Sequence, residues 1–333
     1  MKNLINAILR LLVKVALHGY FRKIIVKGKE NIPKNRPVIL VANHQNALID
    51  PLLLATHTRL NPYFLTRASA FKHPFAAKLL HIIRMLPVYR VRDGFSTLQQ
   101  NQQTFDQTYD VLSKNGCVII FAEGSHSLVR NVRPLSKGFT RMAFGLLEKF
   151  PESKPVILPV GLDFSAHKRS GSLVRITFGQ AIPVDMPPSK SGLLTKKTEQ
   201  ALRNLTVQIP DENYAQSLEK LLAKRVDVSS KSEVEQFLLS EKVTAPVEPI
   251  GGFNNKVMKI FHLPLYWIWL WKAPSVKDEV FTSTWKFLIG FVLAVPYYLV
   301  IFSLAFLPQI GPWALAFLMM AWISLWRNRN PQE

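Results

Sequence analysis

Cysteine is almost missing: Cys117 is the only one in 333 residues. A lone thiol excludes an internal disulfide framework and a zinc site built on cysteine spacing. Its place in the apolar run "CVIIF" marks a buried structural residue. Acidic side chains are scarce, with 22 Asp and Glu against 42 Lys and Arg and a formal charge of +20. Such an excess favours anionic partners: nucleic acid, an anionic lipid surface or phosphorylated substrates. The basic residues are dispersed, so nucleic acid is not the expected partner. The G-x-S-x-G elbow that presents the nucleophile of α/β hydrolases is absent. The N-terminal stretch also lacks the unbroken apolar core and small-residue cleavage site of a signal peptide.

What is abundant is apolar surface. Hydrophobic residues make up 48% of the chain, with 7 Trp and 21 Phe, and mean hydropathy is slightly positive. Both lean toward membrane association. In "MKNLINAILRLLVKVALHGYFRK", Leu4, Ile8, Leu11, Leu12 and Val15 recur at helical spacing, while Asn6, Arg10 and Lys14 share another face. This pattern predicts a basic amphipathic helix in the membrane interface over residues 1–30; a helix simply packed on the domain is the alternative.

Between residues 31 and 190, short apolar runs alternate with helix-like segments. "PVILVAN", "PYFLTR", "MLPVYRV", "CVIIFAEG", "PVILPVGLDF" and "VRITFG" read as buried strands. Among the intervening segments, "DPLLLATHT", "HPFAAKLLHIIR" and "KGFTRMAFGLLEKF" read as helices. A further helix in "FSTLQQNQQTFDQTYDVLSKNG" ends on Asn115-Gly116. The alternation predicts an α/β domain with a largely parallel central sheet flanked by helices, ligands collecting at the carboxyl ends of its strands. "MPPSKSGLLTKKTEQ" reads as a polar link. Residues 191–250 form a charged helical appendage, and 251–284 a Trp-rich interfacial segment containing "HLPLYWIWLWK". Residues 285–327 read as a transmembrane hairpin. Phe287–Leu307 is uncharged over about 21 residues, enough for a ~30 Å hydrocarbon core. The run from Ile310 to Trp326 is about 17 residues, at the short limit. Trp285, Trp313 and Trp326 lie near the ends as an aromatic belt would, and Pro296 is a candidate kink. Lys286 before the first span, with Arg327 and Arg329 after the second, puts both flanks in the cytoplasm. The expected protein is therefore integral to a membrane, its α/β domain on the cytoplasmic face. A re-entrant hairpin is the rival.

Three strand ends carry chemistry. In "VANHQNALIDPLL", His44 follows a buried strand, and Asp50 can hold its imidazole in one tautomer as a general base requires. Asp50-Pro51 is equally a good helix start, with Asp as N-cap. "VIIFAEGSHSLVRNVRPLSKGF" places Glu123, Gly124, Ser125 and His126 after another strand, then Arg130, Arg133 and Lys137, which suits an anionic substrate. "MLPVYRVRD" ends a third with Arg90 and Arg92, which suit bidentate phosphate recognition.

In that order these stretches, with "VILPV", resemble four blocks of the PlsC-like glycerolipid acyltransferases, over about residues 35–185. That family moves a fatty acyl group from a thioester to a glycerol-phosphate hydroxyl. The resemblance implies that His44 deprotonates the acceptor and Asp50 orients it. By the same match Arg90 binds the acceptor phosphate, with Glu123, Gly124 and Ser125 in acceptor binding. Pro159 falls at the acyl or acceptor pocket, and Arg92 and Lys137 join as basic candidates. Five residues separate His44 from Asp50, where four is commoner. That spacing resembles a branch acting on glycerol 3-phosphate or dihydroxyacetone phosphate. Ala122 stands for the usual Pro and His126 for an Arg, with Arg130 a possible replacement. The expected donor is acyl-CoA or acyl carrier protein, with an anionic phospholipid membrane as partner. No metal or cofactor is expected, since a base acting directly on the acceptor needs neither. A lysophospholipid acceptor such as lysophosphatidic acid, and a non-catalytic lipid-binding scaffold, are the alternatives.

Overall fold

The computed structural model describes residues 2–89, 100–243, 246 and 252–327. After helix α1 (Lys2–Tyr20) come strands β1 (Lys23–Lys27) and β2 (Val38–Ala42), then helix α2 (Ile49–His57). β3 (Tyr63–Arg67), α3 (Pro74–Ile82), β4 (Met85–Val88), α4 (Gln100–Leu112), β5 (Cys117–Ile120) and α5 (Gly138–Lys149) continue the alternation. β6 (Val156–Phe164), β7 (Leu173–Phe178) and β8 (Ile182–Pro183) complete an eight-stranded sheet of order β1-β7-β6-β2-β5-β3-β4, with β8 on β6.

Every residue of β2 and β6 is buried. That is why "VILVA" and "VILPVGLDF" read as continuous apolar runs: both sheet faces are covered. β2 runs parallel to β5 and to β6, and β3 to β4 and β5. β7 is antiparallel to β6, because the link through residues 165–172 is too short for a crossover helix. After α4 the chain turns through Asn115 at φ 56°. At Gly116 a Cβ would lie 2.4 Å from the Val111 carbonyl oxygen, so only glycine fits.

Two of the expected boundaries differ in the structure. The N-terminal helix stops at Tyr20, and β1 pairs in parallel with β7; five-residue "KIIVK" alternates too weakly to stand out. α1 also turns its polar side inward. Asn6 donates to the Ile82 carbonyl at 3.1 Å, and Arg10 bonds Asn61 Oδ1 and the Leu60 carbonyl, both at 3.0 Å. Leu4, Ile8, Leu11, Leu12 and Val15 are left exposed. Finally, the "link" after residue 185 holds α6 (Ser191–Leu205), whose Leu194 and Leu202 are buried in the core of the sheet domain.

α7 (Tyr214–Ala223) and α8 (Lys231–Ser240) close a small cluster around Val228, Val234 and Phe237. α9 (Gly252–Phe261) and α10 (Leu263–Lys272) precede α11 (Thr282–Leu304) and α12 (Gly311–Arg327). The stretch Glu279–Leu304 is long and apolar enough to cross a membrane, and only 6% of its most apolar window is buried. A core helix would be mostly covered. α12, at 17 residues, rises about 25 Å. α11 runs through Pro296 without ending.

Candidate active site

The carboxyl end of β2 is pinned before the chain turns. Asn43 extends the pairing with β6, its amide donating to the Leu162 carbonyl at 2.9 Å and accepting from the Leu162 N–H at 2.8 Å. His44 therefore leaves the sheet at a fixed point. The backbone then reverses through Ala47 at φ 29°, a region costly for a residue with a Cβ. It re-enters as α2, with Asp50 inside the first turn.

Asp50 is not the N-cap that its sequence context suggested. Leu48 occupies the cap position. The fully buried Asp50 carboxylate points back into the turn, where Oδ2 accepts from the Gln45 and Asn46 N–H groups at 2.8 and 2.7 Å. The same oxygen lies 2.8 Å from His44 Nδ1. An oxygen already accepting from two N–H groups acts as an acceptor toward the imidazole too, so Nδ1 is the nitrogen that donates and Nε2 is left with its lone pair. No hydrogen bond to Nε2 occurs among the described residues, and the His44 side chain is 16% exposed. The Phe121 ring stacks on it, centroids 4.0 Å apart. The Asp50 carboxylate is thus dry and His44 Nε2 reachable.

The loop after β5 is drawn to the same place, the Ser127 N–H donating to the His44 carbonyl at 3.0 Å. Its glycine serves conformation and not space: Gly124 sits at φ +72°, and a Cβ there would meet nothing within 4 Å. Glu123 is committed within the protein. Arg133 holds its Oε2 through Nη2 at 2.6 Å and Nε at 3.0 Å. The same guanidinium reaches Ser125 Oγ at 2.7 Å and the Ser125 carbonyl. Burial pushes the Glu123 carboxyl up, and Arg133 offsets this. Arg133, which the sequence showed only as one of several following cations, is the basic group in this loop. Arg130, the possible replacement for a family arginine, points inward and is fully buried. It donates to the Phe164 carbonyl and, at 3.4 Å, to those of Val228 and Ser165.

Of the other candidates, Pro159 is buried in mid-strand on β6, opposite Val41. Its carbonyl accepts from the Gly179 N–H at 2.9 Å. Lys137 is an exposed residue at the start of α5, outside the hydrogen bonds that join the two loops. Arg90 and Arg92 lie outside the described residues. A cleft of about 530 Å³ lined by Tyr63, Arg84, Asp110 and Lys114 opens at the amino ends of β3 and β5, away from this chemistry.

Several partners come from far along the chain. His167 Nε2 donates to Gln45 Oε1 at 3.0 Å, and its carbonyl accepts from the Asn46 amide at 3.0 Å. Burial, with Arg130 second, keeps the His167 imidazole neutral. The His167 carbonyl also accepts from the Ser283 hydroxyl, while Thr284 Oγ1 accepts from the Leu48 N–H at 3.3 Å. The start of the membrane-type helix α11 is thereby fastened to the His44–Asp50 turn. His126 stands edge-on to His44, centroids 5.8 Å apart.

A strand-end His–Asp pair on this sheet falls in a segment of known type: residues 23–163 match the model of the Acyltransferase family. Beyond that family match, the curated proteins to which the chain is similar are glycerolipid acyltransferases. The chain is 22% identical over 304 residues to glycerol-3-phosphate O-acyltransferase 2 of Saccharomyces cerevisiae, covering 58% of this chain and 41% of that one. It is 29% identical over 136 residues to the 1-acyl-sn-glycerol-3-phosphate acyltransferase of Borreliella burgdorferi, covering 40% and 52%. The crystal structure of the acyltransferase PlsC from Thermotoga maritima superposes with a TM-score of 0.46 at 20% identity, covering 61% of this chain and 78% of that one. The chain spans about half or less of the length of the curated relatives it matches.

Proposed function

We propose that the protein is a membrane-bound O-acyltransferase that moves a fatty acyl group from acyl-CoA or acyl carrier protein to glycerol 3-phosphate or dihydroxyacetone phosphate. The observation that carries this reading is the 2.8 Å contact between His44 Nδ1 and a carboxylate already anchored by two backbone N–H groups. His44 Nε2 takes the proton of the acceptor hydroxyl as its oxygen attacks the thioester carbonyl. Asp50 stabilises the imidazolium that forms. The tetrahedral intermediate collapses, the carbon–sulfur bond breaks, and the thiolate receives the proton from His44. Neither a metal nor a protein nucleophile takes part, and Cys117, buried in β5 with its thiol pushed up by burial, stays a thiol.

Membrane attachment is read from two surfaces. The apolar stripe of α1 faces out because its polar side is tied to the domain; Leu11 is 62% exposed and Val15 65%. α11 and α12 then form the hairpin, crossing from and returning to the cytoplasmic face, and anionic phospholipid attracts the +20 chain. We take residues 23–205 as the catalytic domain, since β1 belongs to its sheet and α6 packs into its core, 206–250 as an appendage and 251–327 as the membrane module. The Borreliella relative, named for a 1-acylglycerol 3-phosphate acceptor, supports a second reading in which the acceptor already carries one acyl chain. Thiol release from acyl-CoA by detergent-solubilised protein, with each phosphorylated acceptor offered separately, decides between them. Turnover with glycerol 3-phosphate or dihydroxyacetone phosphate but not lysophosphatidic acid is the expected result. Thiol release indifferent to every acceptor would end the proposal.

A further inference from the structure

The segment that leads into α11 reaches the candidate site from outside the family-matched region. Its Asp278 Oδ2 lies 3.7 Å from His126 Nδ1, and the Phe281 ring meets the His126 ring edge-to-face at 5.0 Å. His126 is thus held on the side away from His44, whose ring it meets at 5.8 Å. Two further contacts fix this segment independently of His126. Ser283 donates to the His167 carbonyl, and Thr284 accepts from the Leu48 N–H. Next to Asp278, Glu279 is turned away to pair with Lys168 at 2.9 Å.

The charges facing His126 come from four elements: His44 after β2, Asp50 in α2, Arg133 after β5 and Asp278 before α11. Burial first, then His44 and Arg133, hold the His126 imidazole below its ordinary pKa, and Asp278 and Asp50 offset part of this. With Glu123 and Arg133 cancelling each other, His126 is the group through which the cluster can present net positive charge to an anion. His126 contributes charge only when protonated.

We propose that Asp278 is a positioning residue for the phosphate of the acceptor: it acts through His126, so the membrane-entry segment sets acceptor affinity. This rests on the acyl-transfer reading above. Asp278 supports the protonated form of the ring through charge, and Phe281 packs against that ring edge-to-face. Acceptor recognition then requires α11 to be docked, which couples the membrane anchor to the chemistry.

The test uses the full chain in phospholipid nanodiscs, with palmitoyl-CoA and glycerol 3-phosphate, or lysophosphatidic acid if that is the acceptor turned over. Asp278→Asn should raise the acceptor KM about tenfold while kcat and the palmitoyl-CoA KM stay within about threefold. KM should rise with pH as His126 deprotonates, and in Asp278→Asn that rise should move to lower pH, since a group favouring the imidazolium is gone. Asp278→Glu should restore most of the affinity, and Glu279→Gln should leave it unchanged. An unchanged acceptor KM and pH profile in Asp278→Asn would overturn the proposal, as would an equal effect from Glu279→Gln. Either result, with acyl transfer by the wild type intact and lost in His44→Ala, leaves the acyl-transfer reading standing. No transfer by the wild type to any phosphorylated acceptor would end both.

Discussion

The loops after β2 and β5 use similar residues and reach opposite states. In the first, Asp50 Oδ2 is held by two N–H groups of its own turn and meets an imidazole whose second nitrogen stays available. The buried Oδ1 has no hydrogen-bond partner among the described residues. In the second, the Glu123 carboxylate is taken up by Arg133, and the pair braces Ser125. A carboxylate at a strand end therefore says little until its donors are counted. One fixes an imidazole; the other cancels its own charge and shapes the loop.

His44→Ala should break this contrast most completely, since a positioned general base contributes about 10²–10⁴-fold. A loss of that size in kcat, with the membrane-bound fraction and unfolding midpoint unchanged, is expected. Asp50→Asn follows. It removes the tautomer lock and turns an amide toward two N–H donors, so activity should fall about 10²-fold or more. Stability should fall by about 1–3 kcal/mol, read from denaturant unfolding in detergent. A helix cap would tolerate asparagine. Arg133→Met comes third. It strands a buried carboxylate, but Arg133 is itself partly exposed, so a loss of about 1–3 kcal/mol is expected. The acceptor KM should rise and kcat change little. Adding Glu123→Gln should return part of the stability in a double-mutant cycle.

The smallest effect concerns α2 alone. Burial holds His57, at its far end, near pKa 4, against about 6.5 in an unfolded chain. The unfolded chain thus takes up the proton first. Stability should be full above pH 6.5 and fall as pH drops toward 4. His57→Phe should flatten that slope in the unfolding midpoint.

What was legible in the sequence depended on distance along the chain. His44 and Asp50 are six positions apart, and the strands carried continuous apolar runs, so the turn and the parallel sheet could be read directly. Direction in the turn could not: Asp50-Pro51 looks like a helix cap, and only the backbone reversal at Ala47 shows the carboxylate aimed at residues 44–46. Arg130 and Arg133 are three residues apart and indistinguishable by type. The bend between them sends one into the core and the other onto Glu123. β1 escaped notice because an edge strand with Lys at both ends carries little apolar signal. His167, Asp278 and Ser283 reach the site from other elements with no local pattern to mark them. The stripe on α1 was visible, but not which way it faced, since that depends on partners at Asn61 and Ile82.

The central claim is that the acceptor's proton passes to His44 and no residue of the chain carries the acyl group. Pre-steady-state thiol release tests it most directly: enzyme is mixed with palmitoyl-CoA first without, then with, glycerol 3-phosphate, and the intact chain is weighed by mass spectrometry after each quench. The account predicts no burst and an unmodified mass without acceptor, then steady thiol release once acceptor is present. A burst stoichiometric with enzyme, together with an acylated chain, would contradict it.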